Sequence, residues 1–239
     1  MTWSIAAYDP PSGAFAVCVA TRALAVGASC PFVQAGVGAV STQSITNRYL
    51  GPAVLTGLRE GLDPETAVRR ALASDGGRGI RQLHAVDAQG RTFAWTGDNC
   101  VPWCGSVRAD NLSIAGNMLS SAAVIEAARE AYLAHAHLDL PARLLAAMDA
   151  GEAAGGDRRG RQSAAMKVVT TEDFPDLDLR VDDHAAPLTE LRRLVDLWRE
   201  QQAVRAGWAP TKANPSGETD LDKIEARWIA QGLDIRFRR

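Results

Sequence analysis

The chain has 239 residues, of which 46% are hydrophobic and 23% are charged. This composition is typical of a globular protein and excludes a disordered chain, and the length fits one large domain or one domain with an appendage. The formal net charge of −2 excludes the strong positive field that a nucleic-acid-binding domain needs, so we expect no nucleic-acid partner.

The start of the chain predicts a cytoplasmic protein. The segment up to Asp9 contains no Lys or Arg, so it lacks the charged start of a signal peptide. No apolar run approaches the roughly 20 residues that are needed to span a bilayer. We therefore expect no membrane partner.

The cysteines and histidines predict no metal site. Cys100 and Cys104 are separated by three residues, and no nearby Cys/His pair completes a four-ligand zinc set. In a reducing compartment such cysteines are free thiols. We expect neither a metal nor another cofactor, and we expect no role for the four histidines, which are His84, His135, His137 and His184.

The first predicted elements are two strand pairs. Residues 2–8 are predicted to form a strand, and residues 9–13 contain the two prolines and the glycine that a tight turn requires. A second strand follows at residues 14–20. Two further strands are predicted at residues 32–35 and 38–43.

Two helices are predicted after these strands. The first covers residues 51–60. The second begins after Asp63, which can cap its N-terminus, with Pro64 at the first helical position, and it ends before Gly76.

The remaining chain repeats this order of strands and helices. A hairpin at residues 81–87 and 92–96 comes first. The later predictions are strands at 112–119, 163–170 and 177–182, and helices at 122–136, 141–150, 187–202 and 221–231.

This order favours an α+β protein. Groups of strands alternate with pairs of helices, which indicates antiparallel sheets covered by helices and not a parallel sheet. The sequence therefore predicts a four-layer αββα sandwich of two antiparallel sheets at residues 1–205. Residues 206–239 are polar and contain Pro210, Pro215 and Gly217, so we interpret them as a C-terminal appendage.

Thr2 is the first candidate for chemistry. Methionine aminopeptidase removes Met1 when the second residue is small, as threonine is. The exposed residue then carries a nucleophilic hydroxyl and an α-amine, whose pKa of about 7.7–8.0 allows it to act as a general base near neutral pH. The alternative is that Met-Thr is a common start without functional meaning.

Two further segments could stabilise an oxyanion. Small residues near Gly36 and the polar run that ends in Gln43 and Ser44 would let backbone N–H groups approach a reacting carbonyl, although a polar strand end is an equal alternative. Asn117 lies in an otherwise apolar strand, where an amide is costly to bury without a hydrogen-bond partner. Its function could be catalytic or purely structural.

A glycine-rich loop at residues 155–163 is the candidate substrate-binding segment. Its three arginines could pair with a carboxylate or a phosphate, because guanidinium groups bind such anions with two parallel hydrogen bonds. The alternative is a solvated loop with internal Asp–Arg pairs. The candidate residues of this site are Arg22, Asp157, Arg158, Arg159, Arg161 and Ser163.

Several of these segments together resemble a known bacterial and archaeal family. The matching segments are residues 2–10, 19–27, 36–43, 116–119 and 154–163. They are similar to domain-of-unknown-function family 1028, which is placed in the N-terminal-nucleophile (Ntn) hydrolase superfamily, and the similarity covers about residues 2–200.

The resemblance implies the αββα sandwich of proteasome subunits and, by analogy, an amidohydrolase activity. The segment Ala20-Thr21-Arg22 resembles the strand end that carries an acid–arginine pair in those subunits, with Thr21 at the position of the acid.

These observations lead to one leading hypothesis and two alternatives. The leading hypothesis is hydrolysis of a C–N bond in a small anionic amide, with Thr2 as nucleophile and base, Asn117 and the backbone near Gln43 at the oxyanion, and the loop arginines on the substrate. The alternatives are a binding protein for a small anion and a structural homo-oligomer. We expect a homo-oligomer in the leading hypothesis as well.

Overall fold

The computed structural model describes residues 2–205 and 208–238. The described residues form a mixed α+β protein with two antiparallel sheets and six α-helices. The chain divides into two compact units, Met1–Val195 and Asp196–Arg239. The predicted boundary between residues 205 and 206 adjoins residues 206 and 207, which lie outside the described residues.

Ten strands build the two sheets. In chain order they are β1 (Thr2–Asp9), β2 (Ala14–Thr21), β3 (Pro31–Gln34), β4 (Gly38–Ser44), β5 (Arg81–Asp87), β6 (Thr92–Thr96), β7 (Gly105–Ala109), β8 (Leu112–Asn117), β9 (Ser163–Val169) and β10 (Leu177–Val181). The large sheet has the order β10-β9-β2-β1-β8-β7, and the small sheet has the order β3-β4-β5-β6. Every pairing is antiparallel.

The helices are α1 (Leu50–Arg59), α2 (Pro64–Ala73), α3 (Ala123–Ala134), α4 (Leu140–Ala153), α5 (Pro187–Arg205) and α6 (Leu221–Ala230). Local sequence explains where α2 and α4 begin. Asp63 accepts a hydrogen bond from Thr66 N at 3.1 Å, and Asp139 accepts one from Ala142 N at 2.8 Å. Each cap satisfies a backbone donor that the helix leaves without a partner, and a proline follows in the first turn.

Helices cover both sheets of the first unit. The apolar sides of α1 and α2 pack against Val40, Leu83 and Ala85 of the small sheet. On the large sheet, α4 lies close to β1, because a Cβ atom at Gly151 would lie only 2.4 Å from Cη2 of Trp3. Glycine therefore allows an approach that a larger residue would prevent.

The other face of the large sheet is directed at the small sheet. Side chains alternate along β1, so Trp3 points towards α4 while Ser4 points to the opposite side. Ser4 Oγ donates to Ser41 Oγ of β4 at 2.9 Å, which directly links the two sheets. The space between the sheets is therefore lined by alternate residues of both.

Strand β7 was not predicted from the sequence. It is a five-residue edge strand whose side chains are half-buried or exposed, so it lacks the apolar alternation that marks a buried strand. The turn that joins it to β8 uses Asn111 at φ 64°, without the Asn-Gly or Asp-Gly pair that signals a hairpin. The prediction for β8 was two residues too long, because Met118 adopts φ 53° and ends the strand.

The second unit contains the end of α5 and all of α6. Asp220 caps α6 by accepting hydrogen bonds from Asp222 N and Lys223 N. The ring of Trp228 lies 5.1 Å from that of Phe237, and Phe237 N donates to Glu225 Oε1 at 2.8 Å. These contacts tie the following segment back to the helix.

Among the described helices, none combines the length and the apolar character that crossing a membrane requires.

Candidate functional site

A row of polar side chains crosses the large sheet at the start of β1. Thr2 pairs with Asn117 of β8, and Thr21 of β2 pairs with Ser163 of β9. Thr2 Oγ1 lies 3.2 Å from Thr21 Oγ1, which joins the two pairs. Thr2 is only 6% exposed, so its hydroxyl is fixed among protein atoms.

The Asn117 side chain is bound to the main chain of Thr2. Its Nδ2 donates to Thr2 O at 3.1 Å and to Gln82 Oε1 at 3.0 Å. An amide nitrogen carries two hydrogens, so both donors are in use. The expectation that this amide donates to an oxyanion therefore stays a prediction, and it would require one of these two hydrogen bonds to be given up. The Oδ1 atom, by contrast, is buried and has no hydrogen-bond partner among the described residues.

Gln82 and Gln43 extend this chain of carboxamides into the space between the sheets. Gln82 Nε2 donates to Gly116 O at 2.8 Å, and Gln82 Oε1 accepts from Gln43 Nε2 at 2.8 Å. Gln43 Nε2 also donates to Ala115 O at 3.0 Å. Gln43 is thus connected to Thr2 through Gln82 and Asn117, and its contribution to an oxyanion site stays a prediction.

A hydroxyl and imidazole cluster lies beyond Gln43. Ser4 Oγ lies 2.7 Å from Gln43 Oε1 and 2.8 Å from His84 Nε2, and His84 Nδ1 lies 3.1 Å from Ser113 Oγ. Burial lowers the pKa of His84 to about 3, so the imidazole is neutral near pH 7. We call the fully buried side chains of Ser4, Ser41, Gln43, Gln82, His84, Ser113 and Asn117 the polar layer.

Sequence reasoning did not find Gln82 or Ser4, and it gave His84 no role. Gln82 and His84 alternate with Leu83 and Ala85 in β5, a pattern that normally places the polar side chains towards solvent. Here they face inwards, because the opposing strands supply polar partners. Only the register between the sheets reveals this arrangement.

The candidate binding loop lies next to the Thr2 row. Arg22, one residue after Thr21, donates from its backbone N to Asp157 Oδ2 at 2.7 Å and from its guanidinium to Arg161 O at 3.1 Å. Ser163 Oγ donates to Ala23 O at 2.6 Å. The loop and Thr2 are therefore at the same end of the large sheet.

The loop arginines differ in their partners. Arg159 pairs with Asp157, whose side chain is 4% exposed, and Arg161 pairs with Glu152. Arg158 is exposed, and the described residues include no ion pair for it. The alternative of internal Asp–Arg pairing thus applies to Arg159, while Arg22 and Arg158 are exposed residues.

The Thr2 row does not line the large groove of this protein. A groove of about 680 Å³ is lined by Phe32 of β3, Lys167 of β9 and Arg180 of β10, and Thr2 and Asn117 are not among its lining residues. The Thr2 row is identified by its hydrogen bonds and not by a large cavity.

Within residues 2–205 and 208–238, no three side chains of His, Cys, Asp or Glu are grouped as metal ligands. The four cysteines are free thiols, and burial raises the pKa of Cys30 to about 11.

These features define a mixed α+β protein with two facing antiparallel sheets and a polar layer between them. The chain matches the model of the Family of unknown function (DUF1028) over residues 2–191. A crystal structure of protein SPO2555 from Silicibacter pomeroyi, assigned to DUF1028, is 34% identical with a TM-score of 0.83, covering 92% of this chain and 96% of that chain. The chain therefore belongs to this family of unknown function.

A more distant similarity is to Anbu (ancestral beta-subunit) from Yersinia bercovieri. It is 14% identical with a TM-score of 0.36, covering 88% of this chain and 99% of that chain. At this level the similarity carries no argument about function. A search of curated proteins gave no match.

Proposed function

We propose that this protein is an N-terminal-nucleophile hydrolase in which Thr2, exposed by removal of Met1, cleaves a C–N bond in a small anionic amide. The order of the layers supports this proposal. Helices α1 and α2 cover the small sheet, and α3 and α4 contact the large sheet. This order corresponds to the αββα sandwich that the sequence resemblance implies.

The observation that carries the proposal is the fixed position of Thr2. Its carbonyl accepts from Asn117, and its hydroxyl contacts that of Thr21. An N-terminal residue held in this way keeps its hydroxyl and its amine in one geometry, which lowers the entropic cost of reaching the transition state.

The proton transfers of this reaction use the amine and hydroxyl of Thr2 and a water molecule. The free amine takes the proton of Oγ1, and Oγ1 attacks the amide carbonyl to form a tetrahedral intermediate. The ammonium then gives this proton to the leaving nitrogen, the C–N bond breaks, and an ester remains on Thr2. Water, deprotonated by the same amine, hydrolyses the ester and restores the hydroxyl.

The neighbouring cations supply substrate orientation in this proposal. Arg22 directly follows Thr21, and Arg158 lies in the loop that Asp157 attaches to Arg22. Exposed guanidinium groups at this position would bind a carboxylate or a phosphate on the substrate. Arg159 and Arg161 instead keep the loop in shape through Asp157 and Glu152.

A β-lactone probe tests the nucleophile without knowledge of the substrate. Attack by a hydroxyl opens the lactone and leaves the whole probe on the protein, so intact-mass spectrometry and peptide mapping detect the adduct. We expect one adduct on Thr2 in Met-free protein, retained in Thr2→Ser and lost in Thr2→Ala. Thr56→Ala, which changes an exposed threonine of α1, is the matched control and should be labelled normally.

Equal labelling of Thr2→Ala and the unmodified protein would contradict the proposal. Circular dichroism of Thr2→Ala should match that of the parent protein, because the fold does not depend on this hydroxyl.

A further inference from the structure

We infer that Asn117 Oδ1 is the hydrogen-bond acceptor that holds the amine of Thr2 once Met1 has been removed, and that Gln82 and Gln43 position it. This inference rests on the proposed function. It concerns an atom that the nucleophilic mechanism above does not use.

The first observation is the missing partner. Asn117 is fully buried, and Oδ1 accepts no hydrogen bond from any described residue. Leaving a buried acceptor without a donor costs about 1–3 kcal/mol, so such an atom in a native protein requires an explanation.

The second observation is that Asn117 cannot turn its amide around. If the amide were flipped, Oδ1 would face Thr2 O and Gln82 Oε1, which are both acceptors. Gln82 cannot flip to compensate, because its Nε2 donates to the main-chain carbonyls of Gly116 and Gly105. The carbonyls thus fix which atom of each carboxamide is the donor.

Gln43 completes the same arrangement from the small sheet. Its Nε2 donates to Ala115 O and to Gln82 Oε1. The Oε1 atom of Gln82 therefore accepts hydrogen bonds from both Gln43 and Asn117. Because this atom can only accept, Asn117 must direct its Nδ2 towards it. The relay Gln43–Gln82–Asn117 thus leaves one acceptor, Asn117 Oδ1, without a donor.

The donor that this acceptor lacks must come from close by, because Oδ1 is enclosed. Thr2 is the cross-strand partner of Asn117, and its carbonyl is already bound to that side chain. Removal of Met1 converts the peptide nitrogen of Thr2, which carries one hydrogen, into an amine with two hydrogens or an ammonium with three. The structure thus assigns the amine of Thr2 as the partner of Oδ1.

This contact would give the amine a direction. An uncharged amine has two hydrogens and one lone pair, and a hydrogen held by Oδ1 leaves the lone pair available to the Thr2 hydroxyl. After the amine has taken the hydroxyl proton, the same acceptor stabilises the ammonium. Asn117 would then be a catalytic residue, and Gln82 would be a positioning residue that acts through it.

The test follows the amine itself and not turnover. In protein labelled with ¹⁵N-threonine, the α-amine nitrogen resonates far from the amide nitrogens, so its pKa can be read from a pH titration by NMR. Removing an acceptor from the ammonium lowers its pKa, and we expect Asn117→Leu to lower it by about one unit, a tenfold change in the proton dissociation constant.

Two further variants keep the test decisive if Asn117→Leu folds poorly. Gln82→Met should lower the amine pKa in the same direction by a smaller amount, because Asn117 remains but is no longer held. Thr42→Val, a buried and isosteric change outside the relay, should leave it unchanged. An unchanged amine pKa in both Asn117→Leu and Gln82→Met would overturn the inference.

The outcomes separate this inference from the proposed function. If the Thr2 nitrogen resonates among the amide nitrogens, Met1 is retained and both fail. If the resonance shifts as expected but the β-lactone does not label Thr2, the hydrogen bond exists and the proposed hydrolase activity fails.

Discussion

The space between the two sheets has two halves of different chemistry. Towards the Asp9 end of β1 the facing side chains are apolar and form one cluster of Ala6, Phe15, Val17, Ala39, Val86 and Val169. Towards the Thr2 end they form the polar layer, in which seven side chains are also fully buried. The side chains of both halves are buried, but one half is held by packing and the other by hydrogen bonds.

This difference separates stability from function. The apolar half stabilises the fold through burial, which needs no particular orientation of the side chains. The polar half gains little net energy from each hydrogen bond, but it specifies orientation, because each buried donor must find an acceptor. We therefore expect the apolar half to keep the sheets together and the polar half to determine the geometry at Thr2.

The largest expected effect is in the apolar half. Phe15 is 1% exposed and its ring stacks on that of Tyr8 at 4.5 Å. Phe15→Ala should lower the free energy of unfolding by about 3–5 kcal/mol, because it leaves a cavity between the sheets. Urea denaturation measures this loss, and Phe174→Ala, at an exposed position, should change little. A loss below about 1 kcal/mol would contradict the claim that the apolar half stabilises the fold.

The next effect is in the polar layer. Gln82→Met keeps the volume but removes the acceptor of Asn117 Nδ2 and Gln43 Nε2. Leaving these two buried donors without a partner should cost about 2–4 kcal/mol in the same assay. Gln201→Met, on the exposed surface of α5, is the control. A more stable Gln82→Met protein would show that this network is not satisfied as described.

The polar layer also makes stability depend on pH. The pKa of His84 is about 3 in the folded protein, below the ordinary value of 6.5, so the unfolded chain binds the proton more readily. The stabilisation is complete above pH 6.5 and is lost as the pH falls towards the folded value, at about 1.4 kcal/mol per pH unit.

Lowering the pH from 6.5 to 5 should therefore cost about 2 kcal/mol through His84. The pKa of Asp75 is lowered to about 2 by Arg81. This carboxyl group changes the stability only below its ordinary pKa of 3.8, so it does not affect the range from pH 6.5 to 5. His84→Gln should remove the loss, while His137→Gln, at an exposed position, should keep it. Denaturation curves at several pH values decide this, and an unchanged slope in His84→Gln would contradict it.

The smallest effect is expected outside the layer, in the arginine loop. The Arg161 side chain is 54% exposed where it pairs with Glu152, and exposed ion pairs contribute about 1 kcal/mol or less. Arg161→Ala should lower stability by no more than this, and the difference from the parent should shrink in salt. Arg158→Ala, at a position with no described ion pair, is the matched control. A larger loss that resists salt would place this loop among the structural elements.

Sequence patterns predicted most of the strands and helices, because local signals determine them. The turn at residues 9–13 between β1 and β2 and the cap at Asp63 are examples. The polar layer could not be predicted, since it depends on two sheets meeting in one register. In β5 the same alternation of Gln82 and His84 with apolar residues is compatible with an outward polar face.

The candidate site could also be predicted only in part, because its hydrogen bonds depend on how the two sheets meet. Thr2 and Asn117 were found as individual residues, and their cross-strand pairing follows from the sheet order. Asn117 was expected to donate to an oxyanion, whereas its two donors are used by Thr2 and Gln82. Donor and acceptor assignment requires the three-dimensional network.

The central claim is that Thr2 acts with an unblocked amine. Intact-mass spectrometry of the protein purified from its native host tests this most directly, because loss of the first residue changes the mass by one methionine. The account predicts a mass that lacks Met1. A mass that includes Met1 would show that the amine is blocked and would contradict the proposed mechanism.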